Sequence, residues 1–208
     1  MEEITQAVLK GNAAGAEAGV RAALKNGARP AVILKDGLIA AMEEVGRRFE
    51  AGEYFVPEML VAARAMKAGI AVLKPALVET GVKPLGKVML GTVGGDLHDI
   101  GKYLVGLMME GAGFEVIDVG ADVAAHAFVE AVRKERPHIL GMSALLTTTM
   151  PNAEATIQAL KQAGLRETVK VLVGGAPITQ DYADEIGADG YAPDAPSAAQ
   201  KAKILLGL

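Results

Sequence analysis

The chain has 208 residues, of which 51% are hydrophobic and 22% are charged, a composition typical of a folded globular protein with one large core or two small ones. The net charge is −4 and no basic run occurs, so the chain lacks the charge pattern of a nucleic-acid-binding protein. Cysteine is absent, which excludes disulfides, thiolate metal sites and cysteine nucleophiles. The acidic start Met1-Glu2-Glu3-Ile4 does not resemble a signal peptide, and no apolar stretch could span a bilayer. We therefore expect a cytoplasmic protein that does not associate with membranes.

The first 78 residues carry only helical patterns. Asn12 is a suitable cap for a helix that runs to about Lys25. Pro30 suits the first turn of a third helix, which ends at Ala51-Gly52. A fourth helix begins at Pro57. Four short helices with many alanine and glycine residues predict a compact antiparallel bundle.

After a short linker over residues 79–86, apolar runs alternate with amphipathic segments. The predicted strands are Lys87–Val93, Phe114–Val119, His138–Leu145, Lys170–Val173 and Gly190–Ala192. The predicted helices lie near residues 101–112, 124–135, 150–163, 178–186 and 197–206. This alternation predicts a flavodoxin-like (Rossmann-like) α/β fold, a five-stranded parallel sheet of order 2-1-3-4-5 covered on both faces. The predicted domains are a helical domain over 1–84 and an α/β domain over 85–208.

Unusual residues follow three of the predicted strands. The first strand leads into the glycine-rich loop 94–101, the third into the hydroxyl-rich segment 143–149, and the fourth into Gly174-Gly175. In an open parallel sheet, ligands bind beyond the carboxyl ends of the strands, where the strand order reverses. For this order the reversal lies between the first and third strands, so we expect these three segments to meet at one edge.

His98 in the first of these loops has the chemistry of a transition-metal ligand. A ligating histidine usually donates its other ring N–H to a carboxylate, which Asp96 could supply, and the Thr149 hydroxyl could extend that relay to a proton source. One histidine without cysteine is too little to hold a bare metal ion, so the metal should arrive with most of its ligands on an organic ring. Gly174 and Gly175 would let a bulky group pass close to the backbone.

Other interpretations of these residues remain open at this point. On spacing alone, a single histidine in a loop is more often a surface or hydrogen-bonding residue, and His126 and His138 are assigned structural roles. The glycine-rich turn could cradle a phosphate at the start of a helix. It lacks, however, both the G-x-G-x-x-G pattern and the Lys-Ser/Thr pair of a P-loop, and Asp96 and Asp99 would repel an anion. Ser143 does not lie in a nucleophile elbow, so a serine hydrolase fits poorly.

The combined pattern resembles a known signature. Its three parts are Asp96-x-His98-x-x-Gly101, Ser143-x-Leu145 and Gly174-Gly175. This is similar to the corrinoid-binding signature of the cobalamin module of methionine synthase, of the mutases, and of the small corrinoid proteins of anaerobic methyltransferase systems. The resemblance covers essentially the whole chain. It implies that the cofactor is cobalamin or a related corrinoid, bound with a histidine in place of its own lower base.

By this resemblance, His98 is the axial ligand of cobalt, Asp96 is its hydrogen-bond partner, and Thr149 is the next group of the relay. Methionine synthase has serine where this chain has Thr149, so the hydroxyl is retained. The resemblance also implies a cofactor-binding set made of the first loop, a pocket for the nucleotide tail and a position near that tail. Its members are Gly94, Gly95, Asp96, Leu97, His98, Asp99, Ile100, Gly101, Ser143, Leu145, Thr147, Thr149, Gly174, Gly175 and Ala195.

The segment over residues 45–60 resembles the helical cap of methylcobalamin proteins. In that cap, apolar side chains cover the upper face of the corrin and protect the methyl group and cobalt(I) from water and oxidants. Phe49 and Val56 fall at the matching positions, where Val56 replaces a leucine and would cover slightly less. From the helical pattern alone, both residues could equally be ordinary core of the bundle.

The resemblance implies a methyl carrier for one-carbon metabolism. Cobalt(I) would accept a methyl group from a donor held by a substrate-specific methyltransferase. The methylcobalamin form would then pass the group to a folate or thiol acceptor on a second methyltransferase, and a reductive activase would restore oxidised cobalt. Because the chain ends just after the last predicted helix, we expect a corrinoid subunit of a multi-component methyltransferase system that is not active alone.

Three alternatives are kept. A cobalamin-responsive regulator or sensor shares this pair of domains, but such proteins normally carry a helix-turn-helix domain for which we see no extra segment. A mutase subunit fits less well, because the methyl-type cap would hinder adenosyl radical chemistry. The third alternative is a flavodoxin-like or response-regulator domain that binds no corrinoid.

Overall fold

The computed structural model describes all 208 residues, and the chain divides into two compact units. One unit contains Met1–Leu85 together with Gly111–Gly113, and the other contains Gly86–Glu110 and Phe114–Leu208. We call them the helical unit and the α/β unit. The domain limit after residue 84 stays a prediction from the sequence.

The helical unit is built from four helices. They are α1 (Glu2–Leu9), α2 (Ala13–Lys25), a long helix that runs through α3 (Pro30–Val32), a π-helical section (Ile33–Ile39) and α4 (Ala40–Glu50), and finally α5 (Val56–Glu79). The long helix is continuous because the backbone stays right-handed helical at both junctions. Asn12 caps α2, as predicted, by accepting a hydrogen bond from the Gly15 N–H at 2.9 Å.

Buried aliphatic side chains and small residues form the core of the helical unit. Val20, Leu38 and Met66 are fully or almost fully buried. Gly69 lies against Leu38, where an added Cβ would come within 2.8 Å of Leu38 Cδ2. The small residues of α5 therefore let neighbouring helices approach closely, because a larger side chain would push Leu38 aside.

The α/β unit contains one five-stranded parallel sheet of order β2-β1-β3-β4-β5. Its strands are β1 (Lys87–Thr92), β2 (Glu115–Asp118), β3 (Ile139–Ser143), β4 (Lys170–Gly174) and β5 (Gly190–Tyr191). Its helices are α6 (Ile100–Gly111), α7 (Ala125–Glu135), α8 (Pro151–Gln162), α9 (Gln180–Ile186) and α10 (Ala195–Leu205). The predicted fold class, helices followed by a five-stranded flavodoxin-like sheet, is confirmed.

The register of the central strands brings their carboxyl ends to one level. Thr92 at the end of β1 lies opposite Ser143 at the end of β3, and Ser143 lies opposite Gly174 at the end of β4. Each strand therefore delivers the loop that follows it to the same edge of the sheet, as the sequence predicted. None of the helices of the protein is long and apolar enough to span a lipid bilayer.

Candidate functional site

The loop after β1 turns sharply to place Asp96 beneath the edge of the sheet. Gly95 adopts a positive φ of 79°, a conformation that a glycine reaches without steric cost. The Asp96 N–H then donates to the Val93 carbonyl at 3.2 Å, which closes the turn. As a result the Asp96 side chain is fully buried, although it lies in a surface loop.

Four donors surround the Asp96 carboxylate. Its Oδ1 accepts the backbone N–H of His98 at 3.0 Å and lies 2.7 Å from His98 Nδ1. Its Oδ2 accepts the backbone N–H of Leu145 at 2.7 Å and the hydroxyl of Thr149 at 2.8 Å. A carboxylate has about four lone-pair positions, so the hydrogen-bonding capacity of Asp96 is used completely.

These contacts keep Asp96 ionised. Burial alone would raise the pKa of Asp96, but the hydrogen bonds from the Leu145 and His98 backbone, the His98 ring and the Thr149 hydroxyl outweigh burial and hold the pKa well below its usual range. An ionised carboxylate can only accept hydrogen bonds, so Nδ1 of a neutral His98 ring must carry the proton. Nε2 of His98 then presents a lone pair, and it makes no hydrogen bond within the protein.

His98 itself is accessible, because 52% of its side chain is exposed above the buried Asp96. Its neighbours in the loop present apolar side chains, with Leu97 exposed to 76% and Ile100 to 73%. Asp99 is also exposed. A loop that exposes an imidazole lone pair together with apolar side chains is a surface that a large, partly apolar ligand can cover.

Hydroxyl groups support the loop from β1 and β3. The Thr92 hydroxyl donates to the His98 carbonyl at 3.0 Å and lies 3.0 Å from the Ser143 hydroxyl. Since Thr92 has one hydroxyl proton, Ser143 must be the donor between the two hydroxyls. Thr149 is buried, whereas Thr147 is exposed at the same edge.

The chain's own backbone requires the two glycines at the end of β4, Gly174 in the strand and Gly175 just after it. A Cβ on Gly175, where φ is 124°, would lie 1.9 Å from the Ala144 carbonyl oxygen. A Cβ on Gly174 would lie 2.9 Å from the carbonyl oxygen of Ala192. From the sequence, we infer that these glycines let a bulky group pass close to the backbone, and this role stays a prediction. The close packing of neighbouring backbone segments is by itself sufficient to require glycine at both positions. Ala195, at the start of α10, is buried.

The structure adds two residues that the sequence did not single out. Asp122, in the loop after β2, accepts the Gly95 N–H at 2.6 Å through Oδ1. Asn152 at the start of α8 donates through Nδ2 to the Gly94 carbonyl at 2.6 Å. Asp122 follows a strand end as Asp96 does, so the same search applied to the second strand would have found it.

The two predicted cap residues belong to the helical unit, where they flank the turn between α4 and α5. Phe49 lies near the end of α4 and Val56 begins α5, and both are half-buried. Tyr54 holds this turn: its hydroxyl donates to the Leu9 carbonyl at 3.2 Å and accepts from Arg48 at 3.2 Å. Half-burial is compatible with both a core role and a shielding role, so the function of Phe49 and Val56 stays a prediction.

The residues at the sheet edge fit a corrinoid better than a bare metal ion. No group of three or more histidine, aspartate or glutamate side chains is placed to hold a metal. His98 would therefore supply a single ligand to a metal, and the remaining ligands would have to come with the metal, as they do in a macrocycle. The fixed proton on Nδ1 and the accessible Nε2 are what an axial histidine needs.

Comparison with known proteins agrees with this chemistry. The B12 binding domain family matches residues 86–200, and a second B12 binding domain description matches residues 1–74. The dimethylamine corrinoid protein of Methanosarcina barkeri is 50% identical over 179 residues, which cover 85% of this chain and 84% of that protein. The trimethylamine corrinoid protein 2 of Methanosarcina mazei is 48% identical over 186 residues, 88% of this chain and 85% of that protein.

A solved structure extends the likeness to three dimensions. The methanol:cobalamin methyltransferase complex of Methanosarcina barkeri contains a chain that matches with a TM-score of 0.86 at 31% identity, over 99% of this chain and 78% of that one. The match spans both the helical and the α/β parts. The chain therefore belongs to the B12-binding corrinoid proteins, and its cofactor is cobalamin or a related corrinoid.

Proposed function

We propose that this protein is a corrinoid methyl carrier in which Nε2 of His98 is the axial ligand of cobalt. The observation that carries the proposal is the 2.7 Å contact between His98 Nδ1 and the buried, ionised Asp96. A histidine whose Nδ1–H is held by a carboxylate has a fixed tautomer and a more basic Nε2. When bound, the corrinoid supplies a cobalt centre that can accept and release a methyl group.

Asp96 and Thr149 would adjust the charge beneath His98. The Thr149 hydroxyl lies 2.8 Å from Asp96 Oδ2 and 2.9 Å from the Leu146 carbonyl oxygen. While Asp96 is ionised, the hydroxyl donates to the carboxylate. If a proton arrives on Oδ2, the hydroxyl can turn its own proton to Leu146 and accept from Asp96 instead. Asp96 and Thr149 can therefore accommodate both the ionised and the protonated form of Asp96 without leaving a buried donor unsatisfied.

The other predicted residues would contribute to the binding and protection of the cofactor. We assign the exposed loop around Leu97, Ile100 and Gly101 to the lower face of the corrin. The segment from Ser143 to Thr149 and the glycine pair, with the start of α10, would receive the nucleotide tail. Phe49 and Val56 would protect the methyl group and cobalt(I) from water and oxidants. These assignments follow the resemblance, and the exposure of Leu97 and Ile100 supports the first of them.

A methylamine is the methyl donor that we propose. The relatives named above are corrinoid proteins for dimethylamine and trimethylamine, and both span most of this chain at 48–50% identity. We infer a methylamine-specific methyltransferase as the first partner. A chain similar to this one is part of the methanol:cobalamin methyltransferase complex, which supports a substrate-specific methyltransferase as a partner. A second methyltransferase with a folate or thiol acceptor and a reductive activase complete the proposed system, which we expect in the cytoplasm.

Electron paramagnetic resonance of the cobalt(II) form tests the ligand directly. Protein labelled uniformly with nitrogen-15 is loaded with unlabelled corrinoid, so that a protein nitrogen on cobalt gives a doublet splitting and a cofactor nitrogen gives a triplet. We expect the doublet in the unsubstituted chain and in His126→Ala, the control at an exposed histidine on α7. His98→Ala should lose the doublet while its fold stays intact. A triplet in the unsubstituted chain would refute His98 as the ligand.

The methyl donor is tested with the loaded, reduced protein. Methylation of the corrinoid is followed by absorbance in the presence of purified methyltransferases specific for monomethylamine, dimethylamine, trimethylamine and methanol. We expect rapid methylation with one of the three methylamine enzymes and its own substrate. Efficient methylation only by the methanol enzyme would contradict the proposed donor class without affecting the assignment of His98.

A further inference from the structure

We propose that the segment Asp118–Asp122, from the last residue of β2 into the loop before α7, positions the loop that carries His98, and that Asp122 is its main positioning residue. We call this segment the brace. The inference rests on the proposed role of His98 as the cobalt ligand. The brace touches neither His98 nor, by this proposal, the cofactor; it acts through the backbone of Gly95 and Asp96.

Asp122 holds the two residues at the turn of the loop with hydrogen bonds in opposite directions. Its Oδ1 accepts the Gly95 N–H at 2.6 Å, and its own N–H donates to the Asp96 carbonyl at 2.9 Å. One bond therefore fixes the chain before the turn, and the other fixes it after. A pair of this kind restrains both the position and the rotation of the intervening peptide.

The backbone of Asp122 is adapted to this double contact. Its φ is 55°, and only Arg136 shares a positive φ among residues other than glycine. This left-handed conformation is unfavourable for most residues with a Cβ, although aspartate and asparagine tolerate it best. Backbone strain of this sort persists where the surrounding structure requires a particular geometry. Here it turns the N–H and the carboxylate of one residue toward the same loop.

A second contact ties the brace to the helix that follows the loop. The buried ammonium of Lys102 on α6 forms an ion pair with both carboxylate oxygens of Asp118. Asp118 Oδ1 also accepts the Gly120 N–H at 2.9 Å, which orders the turn within the brace. Because α6 begins at Ile100, the brace is attached to the His98 loop at its start and just beyond its end.

Asp96 is the residue through which the ring of His98 is oriented. The exposed imidazole makes no hydrogen bond to the protein other than the one to Asp96 Oδ1. The side chain of Asp96 is held by Leu145 and Thr149 from the loop between β3 and α8, and its backbone is held by Asp122 from the loop after β2. A shift of that backbone would redirect Nε2 away from the position of an axial ligand. The brace should therefore set the fraction of molecules in which histidine binds cobalt.

Two substitutions at Asp122 separate positioning from folding. Asp122→Gly keeps the positive φ and the backbone N–H and removes only the carboxylate. The Gly95 N–H is exposed, so water can replace the lost acceptor and the fold should survive. Asp122→Asn keeps an acceptor oxygen at the same position and also tolerates the left-handed conformation.

The nitrogen-15 resonance experiment on the loaded protein gives the first measurement. We expect Asp122→Gly to raise the ratio of histidine-free to histidine-bound cobalt about fivefold, the effect of losing one charge-assisted hydrogen bond at an exposed site. Asp122→Asn should restore the ratio to within about twofold of the unsubstituted chain. The thermal midpoints of the three apoproteins should stay close together. A ratio unchanged in Asp122→Gly would overturn the positioning role, even where His98→Ala loses the nitrogen doublet.

The second measurement needs no cofactor. In the labelled apoprotein, nuclear magnetic resonance reports the tautomer of His98 and the solvent exchange of its Nδ1 proton. We expect Asp122→Gly to exchange that proton faster, by about fivefold, and Asp122→Asn to exchange it at nearly the original rate. If cobalt shows no protein nitrogen in the unsubstituted chain, the role of His98 fails, and this rate still decides the brace. An unchanged exchange rate in Asp122→Gly would then overturn it.

Discussion

The two units of this protein hold their predicted functional residues in different ways. All five buried polar or charged side chains lie in the α/β unit; they are Thr92, Asp96, Lys102, Thr149 and Thr156. In the helical unit, Phe49 and Val56 are half-buried and apolar. A buried charge must find hydrogen-bond donors, so the site around Asp96 can be recognised from its contacts within one unit. An apolar side chain packs in the same way against a core or a ligand, so its role needs an experiment.

The largest loss of stability that we expect comes from a glycine-to-alanine substitution whose new Cβ would meet backbone atoms and not a flexible side chain. Gly175→Ala would press a Cβ against the Ala144 carbonyl at a positive φ and should destabilise the apoprotein by about 3 kcal/mol or more. Gly69→Ala in the helical unit meets the end of the Leu38 side chain, which can move, so its cost should stay below about 1.5 kcal/mol. Gly101→Ala has no atom within 4 Å and should be neutral or stabilising. Urea unfolding measures the change in the free energy of unfolding for all three variants. Equal changes would contradict the expectation that a Cβ against backbone costs more than a Cβ against a movable side chain.

Removing the central carboxylate should be almost as costly. Asp96→Ala leaves the buried network without the acceptor of the Leu145 and His98 N–H groups, which we expect to destabilise the apoprotein by about 3 kcal/mol. The Thr149 hydroxyl can still donate to the Leu146 carbonyl. Asp99→Ala, at the exposed aspartate that directly precedes α6 in the same loop, should cost less, about 1 kcal/mol, because only a helix-capping residue is lost. Similar values for the two variants in urea unfolding would show that the hydrogen-bond network contributes little.

The depressed pKa of Asp96 predicts a pH dependence of known sign. Between its folded pKa and its ordinary value, the folded state binds fewer protons than the unfolded chain, so stability rises with pH in this range. The contribution is fully present above about pH 5 and is lost progressively as the pH falls below about 4. Asp96→Asn cannot ionise and should show a shallower acid slope. Parallel acid slopes for the two proteins would assign the pH dependence to other carboxylates.

The hydroxyl of Thr149 should make a smaller contribution. Thr149→Val keeps the shape of the side chain but removes the donor to Asp96 Oδ2, at a cost of about 1–2 kcal/mol in urea unfolding. Thr149→Ser keeps the hydroxyl and should lose less, since only a methyl group is removed. A serine variant as unstable as the valine variant would mean that packing of the methyl group, and not the hydrogen bond, matters at this position.

A small stability effect is expected for a predicted cap residue of the helical unit. Phe49→Ala should cost about 1 kcal/mol, because the ring is only half-buried, yet it should speed the loss of the methyl group from the loaded protein in light or air. Phe55→Ala removes a phenylalanine that is 64% exposed in the same turn, and it should leave both properties unchanged. An equal effect of the two variants on methyl loss would return Phe49 to the core of the bundle.

Local patterns were sufficient to predict most of the fold. The predicted strand His138–Leu145 contains the observed β3, Ile139–Ser143; its excess residues are His138 before the strand and Ala144 and Leu145 in the loop after it. Burial on both faces produces apolar runs that can be found without knowing their neighbours. The π-helical section Ile33–Ile39 could not be predicted in this way, because its backbone pattern depends on how the helix packs.

The sequence by itself determined the strand order, the convergence of three loops on one edge, and the Asp96–His98 pair, whose members are two residues apart in one loop. Only the tertiary structure decided how Asp96 remains ionised, since Leu145 and Thr149 reach it from a different strand end. The contact between Asp122 and Gly95 is likewise decided by tertiary structure, because it joins residues 27 positions apart. Residue types and spacing specify which groups can react, whereas their hydrogen-bond geometry depends on the register of neighbouring strands.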